Sequence, residues 1–261
     1  MERIAILNQK GGVGKTVTAV QMAAWLTGKG KRVLSIDLDP QANLSKTLNG
    51  DEDPALTTFD VLTAGTHVAE AAVPTPYGDL IASAHRHKKL STVDAVLGSN
   101  PDKTFLLDDA LALCEDAYDY TVIDTPGVRD TLAYNALVAA DHIVVPAQGD
   151  DYSIDGLAQL ADSVRITRRR ANPDLKIAGV LLTIFRANTI IARDMASNIS
   201  EMALALDTSL FKARISQSCI VPEACATQMS VFDYAPGCTV ARDYDGFMKE
   251  LLERIDNDGS K

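Results

Sequence analysis

The chain has 261 residues, 46% of them hydrophobic, with 25 basic against 35 acidic side chains and a net charge of −10. That is enough to bury one substantial core, so a single domain over residues 1–261 is expected. No apolar run reaches the ~20 residues that span a bilayer and no apolar leader precedes the first strand, which makes the cytoplasm the expected location; the acidic balance argues against a protein coated in nucleic acid, while leaving room for a local basic patch.

The first apolar run, residues 3–8, suits a buried parallel strand. It leads into Lys10-Gly11-Gly12-Val13-Gly14-Lys15-Thr16, a phosphate-binding loop that has a second lysine at its entrance and Gln9 where the ordinary motif has glycine. Its glycines let the backbone curl so that successive N–H groups face phosphate oxygens. Lys15 supplies a point charge to the β- and γ-phosphates, and the Thr16 hydroxyl suits Mg²⁺. Lys10 can reach a γ-phosphate, commonly that of a second subunit's nucleotide. Residues 18–27 have helical apolar spacing, stopped by Gly28 and Gly30, which places the triphosphate on a helix N-terminus.

Residues 32–39 read as a second strand ending in Asp37 and Asp39, broken by Pro40. Residues 49–78 carry little periodicity and suggest a surface excursion of loops and short helices. Residues 80–82 form a weak strand, 104–117 a helix, and 120–124 a strong strand ending in Asp124. Then come a helix over 129–140, strand 142–145, helix 154–171, strand 177–184, helix 189–205, strand 210–215 and a closing helix over 239–255. Alternation of this kind predicts an α/β fold, a single-domain P-loop NTPase with a mostly parallel twisted sheet and helices on both faces. Four cysteines, Cys114, Cys219, Cys225 and Cys238, show no metal-ligand spacing and read as free thiols.

In such a fold ligands gather at the C-terminal ends of strands, where Asp37, Asp39 and Asp124 fall. Three carboxylates beside a triphosphate imply a cation. Asp124 is positioned to hold Mg²⁺ through water, with Thr16 a further metal ligand. Asp39 is read as orienting or deprotonating the attacking water, with Asp37 closer to the metal. Lys10, Lys15 and Asp39 are therefore the catalytic set. Residues 10 to 17 (Lys10, Gly11, Gly12, Val13, Gly14, Lys15, Thr16, Val17) are the nucleotide cradle, and Thr16, Asp37 and Asp124 the metal set, with ATP and Mg²⁺ as cofactors.

The strings Asn8 to Thr16, Asp37-Leu38-Asp39-Pro40-Gln41-Ala42-Asn43 and Ile123-Asp124-Thr125-Pro126, with Asn135-Ala136-Leu137, Ala140-Asp141, Gly156-Leu157 and Pro222-Glu223-Ala224, resemble the ParA/Soj partition ATPases of the deviant Walker A class. The resemblance runs nearly end to end. It implies an ATP-dependent homodimer that sandwiches two nucleotides, with Lys10 of each subunit reaching the other's γ-phosphate. It implies slow hydrolysis stimulated by a ParB-like protein, nonspecific DNA binding by the ATP dimer on the nucleoid, and segregation or positioning of plasmid, chromosomal or mobile-element DNA or of a protein cargo. Pro222 and its neighbours would lie near the adenine. The chain departs from the pattern in having Val17 where a threonine is common, which removes a hydroxyl contact. Residues 216–220 carry no charge where relatives often have arginines, so Arg168, Arg169, Arg170, Arg186, Arg193, Lys212 and Arg214 are the substitutes. Met1 leads straight into the first strand, so an N-terminal helix-turn-helix is not expected.

A membrane-binding relative would need a basic amphipathic last helix, yet residues 256–261 are net acidic and a packed helix is expected. An iron–sulfur protein would need cysteines after the strand at 120–124. A biosynthetic enzyme of the amidoligase or synthetase kind is the strongest rival, although no acceptor-substrate constellation stands out.

Overall fold

The computed structural model describes residues 1–84, 86, 89–128, 130–149, 151–186 and 190–259. In chain order the elements are β1 (Glu2–Ile6), α1 (Lys15–Gly28), β2 (Val33–Asp37), α2 (Asn43–Asn49), α3 (Thr58–Ala64), α4 (Val68–Ala71), β3 (Ala72–Thr75), β4 (Gly78–Ile81), α5 (Val93–Leu97) and α6 (Leu106–Ala112). They continue with β5 (Tyr120–Asp124), α7 (Thr131–Ala139), β6 (His142–Ala147), α8 (Asp151–Arg170), β7 (Lys176–Phe185), α9 (Ile190–Ala205), β8 (Leu210–Ser216), α10 (Ile220–Ala226), α11 (Val231–Tyr234) and α12 (Thr239–Gly259).

The eight strands make one sheet in the order β3-β4-β2-β5-β1-β6-β7-β8. Every pairing is parallel except the β3–β4 hairpin at one edge. β1 sits between β5 and β6, so the chain winds outward from it in both directions, and the crevice of a doubly wound sheet opens at its C-terminal end. The central strands are buried on both faces, and their alternation divides the core in two. Ile4, Ile6, Val122 and Val144 pack with α1, α2 and α12 on one side; Ala5, Ile123, Ile143 and Val145 pack with α3, α6, α7, α8 and α9 on the other.

The expected parallel sheet flanked by helices is what forms. The differences lie where local pattern is weak. β3 was expected as part of a surface excursion, because a four-residue edge strand containing Pro74 has no alternation to show. The helix expected over 104–117 ends at Ala112, and the short helices α5, α10 and α11 carry no long periodic signal. Residues 129 and 189, where two helices were expected to begin, lie outside the described residues. No helix of the described residues is long and apolar enough to cross a membrane. The apolar face of α12 is spent in the core, with Phe247, Met248 and Leu251 at zero exposure.

Candidate nucleotide site

The glycine loop joins the C-terminal end of β1 to α1, and the helix begins directly at Lys15. Gly14 precedes it at φ 85, a left-handed conformation that a side chain would strain. The Thr18 N–H donates to the Gly14 carbonyl at 2.9 Å, closing the first helical turn. No side chain caps this N-terminus, so its leading N–H groups are open to an anion.

Three polar side chains brace the loop from behind. Buried Asn8 donates to the Pro146 carbonyl at 2.7 Å and accepts the Lys10 N–H at 2.9 Å. Thr183 donates to the Val13 carbonyl at 2.7 Å, and Gln148 to the Gly12 carbonyl at 2.7 Å. None of the three was assigned a role from sequence. Asn8 is the one with a local signal, a polar residue closing an apolar strand ahead of the glycines; Thr183 and Gln148 are 170 and 136 residues from their partners.

Asp37 and Asp124 end β2 and β5 and are register partners, so the two carboxylates sit side by side at the sheet's C-terminal edge. Both are fully buried. Burial pushes Asp37 up to about 7, against the hydrogen bonds it accepts from Ser45. Burial, then the neighbouring Asp37 charge, raises Asp124 well above the usual carboxylate range, opposed by the Thr16 hydroxyl. Asp124 Oδ2 accepts that hydroxyl at 2.7 Å and Oδ1 accepts the Thr125 N–H at 3.1 Å. Asp37 accepts the Ser45 N–H at 2.8 Å, the Ser45 hydroxyl at 2.7 Å and the Asp39 N–H at 3.0 Å. It thus ties the start of α2 to the backbone of Asp39. Asp39 itself is half-buried and accepts the Gln41 N–H at 2.9 Å.

Lys15 is buried, with Nζ donating to the Lys10 carbonyl at 3.1 Å. Burial lowers its pKa, while the charges of Asp124 and Asp39 oppose that shift. A cavity of about 770 Å³ lies in front of it, with Gly11, Gly12, Gly14, Lys15, Thr16, Val17 and Asp39 on its wall, and runs on past Lys46 and Ile184 to Cys225, Ala226 and Gln228. Six of the eight residues expected as the cradle are thus brought together with Asp39. Lys10 and Val13 are not on this wall: Val13 is buried at zero exposure, and Lys10 is half-buried at the loop entrance. Pro222 is also off the wall, although its own helix supplies Cys225 and Ala226.

Among the described residues no three His, Cys, Asp or Glu side chains form a metal cage. A magnesium ion on a nucleotide needs none, because it keeps waters and phosphate oxygens and takes one or two protein ligands. The donor set fits: a Thr16 hydroxyl already held on the buried Asp124 carboxylate, whose charge Lys15 favours, beside the second buried carboxylate of Asp37.

The basic residues divide into two groups. Arg186 donates to the Gln217 side chain, and the Arg214 guanidinium stacks 4.8 Å over Phe185, so both sit at the C-terminal edge of β7 and β8. Arg168 donates to the Leu175 carbonyl at 2.7 Å, placing the 168–170 run at the opposite end of the sheet. The Arg193 side chain lies outside the described residues.

A family model described as an AAA domain (AAA_31) matches residues 1–177. The chain is 35% identical over 260 residues to the chromosome partitioning protein ParA of Caulobacter vibrioides, covering 96% of this chain and 94% of that protein. It is 33% identical over 249 residues to the sporulation initiation inhibitor protein Soj of Bacillus subtilis, covering 95% and 97%. Among solved structures, cobyrinic acid a,c-diamide synthase from Mycobacterium smegmatis with bound ADP and magnesium matches with a TM-score of 0.83 at 27% identity, over 98% and 96% of the two chains. Cyanothece apo McdA matches with a TM-score of 0.85 at 23% identity over 97% and 99%, a likeness of fold. The synthase shares the architecture of the rival biosynthetic reading, but architecture does not carry function. Curated relatives that cover nearly the whole chain include chromosome partitioning proteins, and this chain belongs to the ParA/Soj family of partition ATPases.

Proposed function

We propose that this protein is a Mg²⁺-dependent ATPase that hydrolyses ATP to ADP and phosphate as a dimerising switch. The observation that carries the reading is the cavity wall, which sets Lys15, Thr16 and Asp39 around one volume at an uncapped helix N-terminus. The loop N–H groups and Lys15 hold the phosphates. Thr16, with Asp124 behind it, holds the metal, which supplies charge neutralisation at the phosphate oxygens. Asp39 orients the attacking water. Asp37 acts beside the metal mainly by positioning, since its oxygens hold Ser45 and the Asp39 backbone.

Lys10 has its backbone fixed by Asn8 at the rim of the loop, off the wall of its own subunit's cavity. That placement supports action on the nucleotide of a second subunit, where its charge would stabilise the transition state. The ATP dimer binds DNA without sequence preference, with Arg186 and Arg214 on the nucleotide-side edge as the phosphate contacts, and is cytoplasmic and nucleoid-associated in that state. A ParB-like protein stimulates turnover. The task served is segregation or positioning of replicon DNA.

The test is DNA binding by the wild type across a salt series with ATP and with ADP, beside Arg186→Ala/Arg214→Ala. Binding restricted to ATP, with a log–log salt slope reduced by about two in the double variant, is expected. Equal binding in both nucleotides overturns the switch, and an unchanged slope overturns the assigned surface.

A further inference from the structure

Four residues other than glycine occupy left-handed backbone among the described residues: Ala42, Ile184, Asp207 and Gln228. Three of them surround one cavity. Ala42, at φ 55, starts the helix α2 whose Asn43, Lys46 and Thr47 face the nucleotide volume, and Ile184 and Gln228 stand on the wall themselves. Non-glycine residues persist in this conformation only where surrounding structure enforces it, and such positions gather at ligand sites.

Gln228 occupies the position after α10 where helices usually place glycine. The Gln228 N–H donates to the Cys225 carbonyl at 3.1 Å and the Met229 N–H to the Ala224 carbonyl at 3.0 Å, the paired bonds of a Schellman ending. Glycine would take φ 57 there without strain. The side chain is exposed, and its amide oxygen lies 3.5 Å from where a Cβ on Gly50 would stand. Among the described residues its carboxamide has no hydrogen-bond partner. Ile184 is a β-branched residue at φ 52, 44% exposed, and it follows Thr183, which braces the phosphate loop.

The phosphates are fixed by the loop at one end of the cavity, so the base of a bound nucleotide falls toward the other. We propose that Gln228 reads the edge of the adenine base and that Ile184 provides the apolar surface beneath it, making these two the specificity-determining residues. The inference rests on the ATP reading above. A carboxamide offers one acceptor and one donor side by side, which complements adenine N6–H and N7; guanine offers two acceptors, N7 and O6, on the same edge. One bidentate contact of this kind discriminates between bases by about tenfold or more.

The experiment measures dissociation constants for ATP, GTP and inorganic tripolyphosphate, each with Mg²⁺, on the wild type, Gln228→Gly and Ile184→Gly. Glycine suits both backbone positions, so each variant is expected to fold. The wild type should favour ATP over GTP by about tenfold or more, and Gln228→Gly should erase that preference while leaving tripolyphosphate affinity unchanged. Ile184→Gly should weaken both nucleotides alike and spare tripolyphosphate. A wild-type ATP-to-GTP ratio retained in Gln228→Gly overturns the assignment of Gln228, and ATP affinity retained in Ile184→Gly overturns that of Ile184. A wild type that binds none of the three probes overturns the phosphate-loop reading itself.

Discussion

At the phosphate end of the cavity the helix N–H groups are open to an anion but the side chains around them are held: Lys15 on the Lys10 carbonyl, Thr16 on Asp124, Asp37 on Ser45, and the loop carbonyls on Thr183 and Gln148. At the base end, Ile184, Ala226 and Gln228 are exposed, and two of them are in backbone conformations that their side chains disfavour. The contrast separates two tasks. Groups placed to act on a developing charge are pre-set and buried or half-buried, where reorganisation is small and electrostatic effects are strong. Groups that choose a ligand stand at the mouth, where side chains can change without disturbing the core.

The largest effect should come from breaking the phosphate end at its cation. Lys15→Ala removes the positive charge facing Asp124 and Asp39, leaving a buried and a half-buried acid to face a triphosphate without it. Calorimetry should then find ATP affinity reduced by about a hundredfold or more, the scale of losing a buried charged partner. A loss under tenfold would show that the loop N–H groups carry the phosphates without it.

The paired acids make a second difference between the two ends, visible in pH. Asp37 is raised to about 7 and Asp124 is also raised, both chiefly by burial. In the folded protein these groups retain protons that the unfolded chain has released above about pH 4. The unfolded state therefore binds fewer protons above about pH 4, and their contribution to stability falls as pH rises, for Asp37 up to about pH 7. For Asp37 alone the fall is on the order of a few kcal/mol. Asp37→Asn abolishes its share, so melting temperature should vary less between pH 5 and pH 7.5 in the variant than in the nucleotide-free wild type. An identical slope would place Asp37 in a more polar setting than its burial indicates. The smallest effect is Thr183→Val, which leaves the Val13 carbonyl without its 2.7 Å donor; denaturant unfolding should register a loss of about 1 kcal/mol.

The same contrast explains what sequence could show. The phosphate end is contiguous in the chain: residues 10 to 16 carry the loop, and strand-end acids announce themselves after apolar runs, so Lys15, Thr16, Asp39 and Asp124 stand out in the sequence. The parallel sheet was legible for the same reason, since buried strands leave continuous apolar runs. The bracing residues were not, because Thr183 and Gln148 meet the loop only through sheet order. The base end was approached only through the resemblance, at Pro222 and its neighbours, because it is assembled from the tip of β7 and a turn after a seven-residue helix. The hold of Asp37 on Ser45 also needed the fold, because a pair of acids two residues apart does not reveal which one turns inward to cap α2.

The central claim is that nucleotide state controls assembly, and sedimentation of Asp39→Ala tests it most directly. This variant keeps the residues of the glycine loop and loses the carboxylate proposed to orient water. With Mg²⁺ and ATP it should sediment as a stable dimer, and with ADP as a monomer. A monomer in both nucleotides, or a dimer in both, would contradict the account.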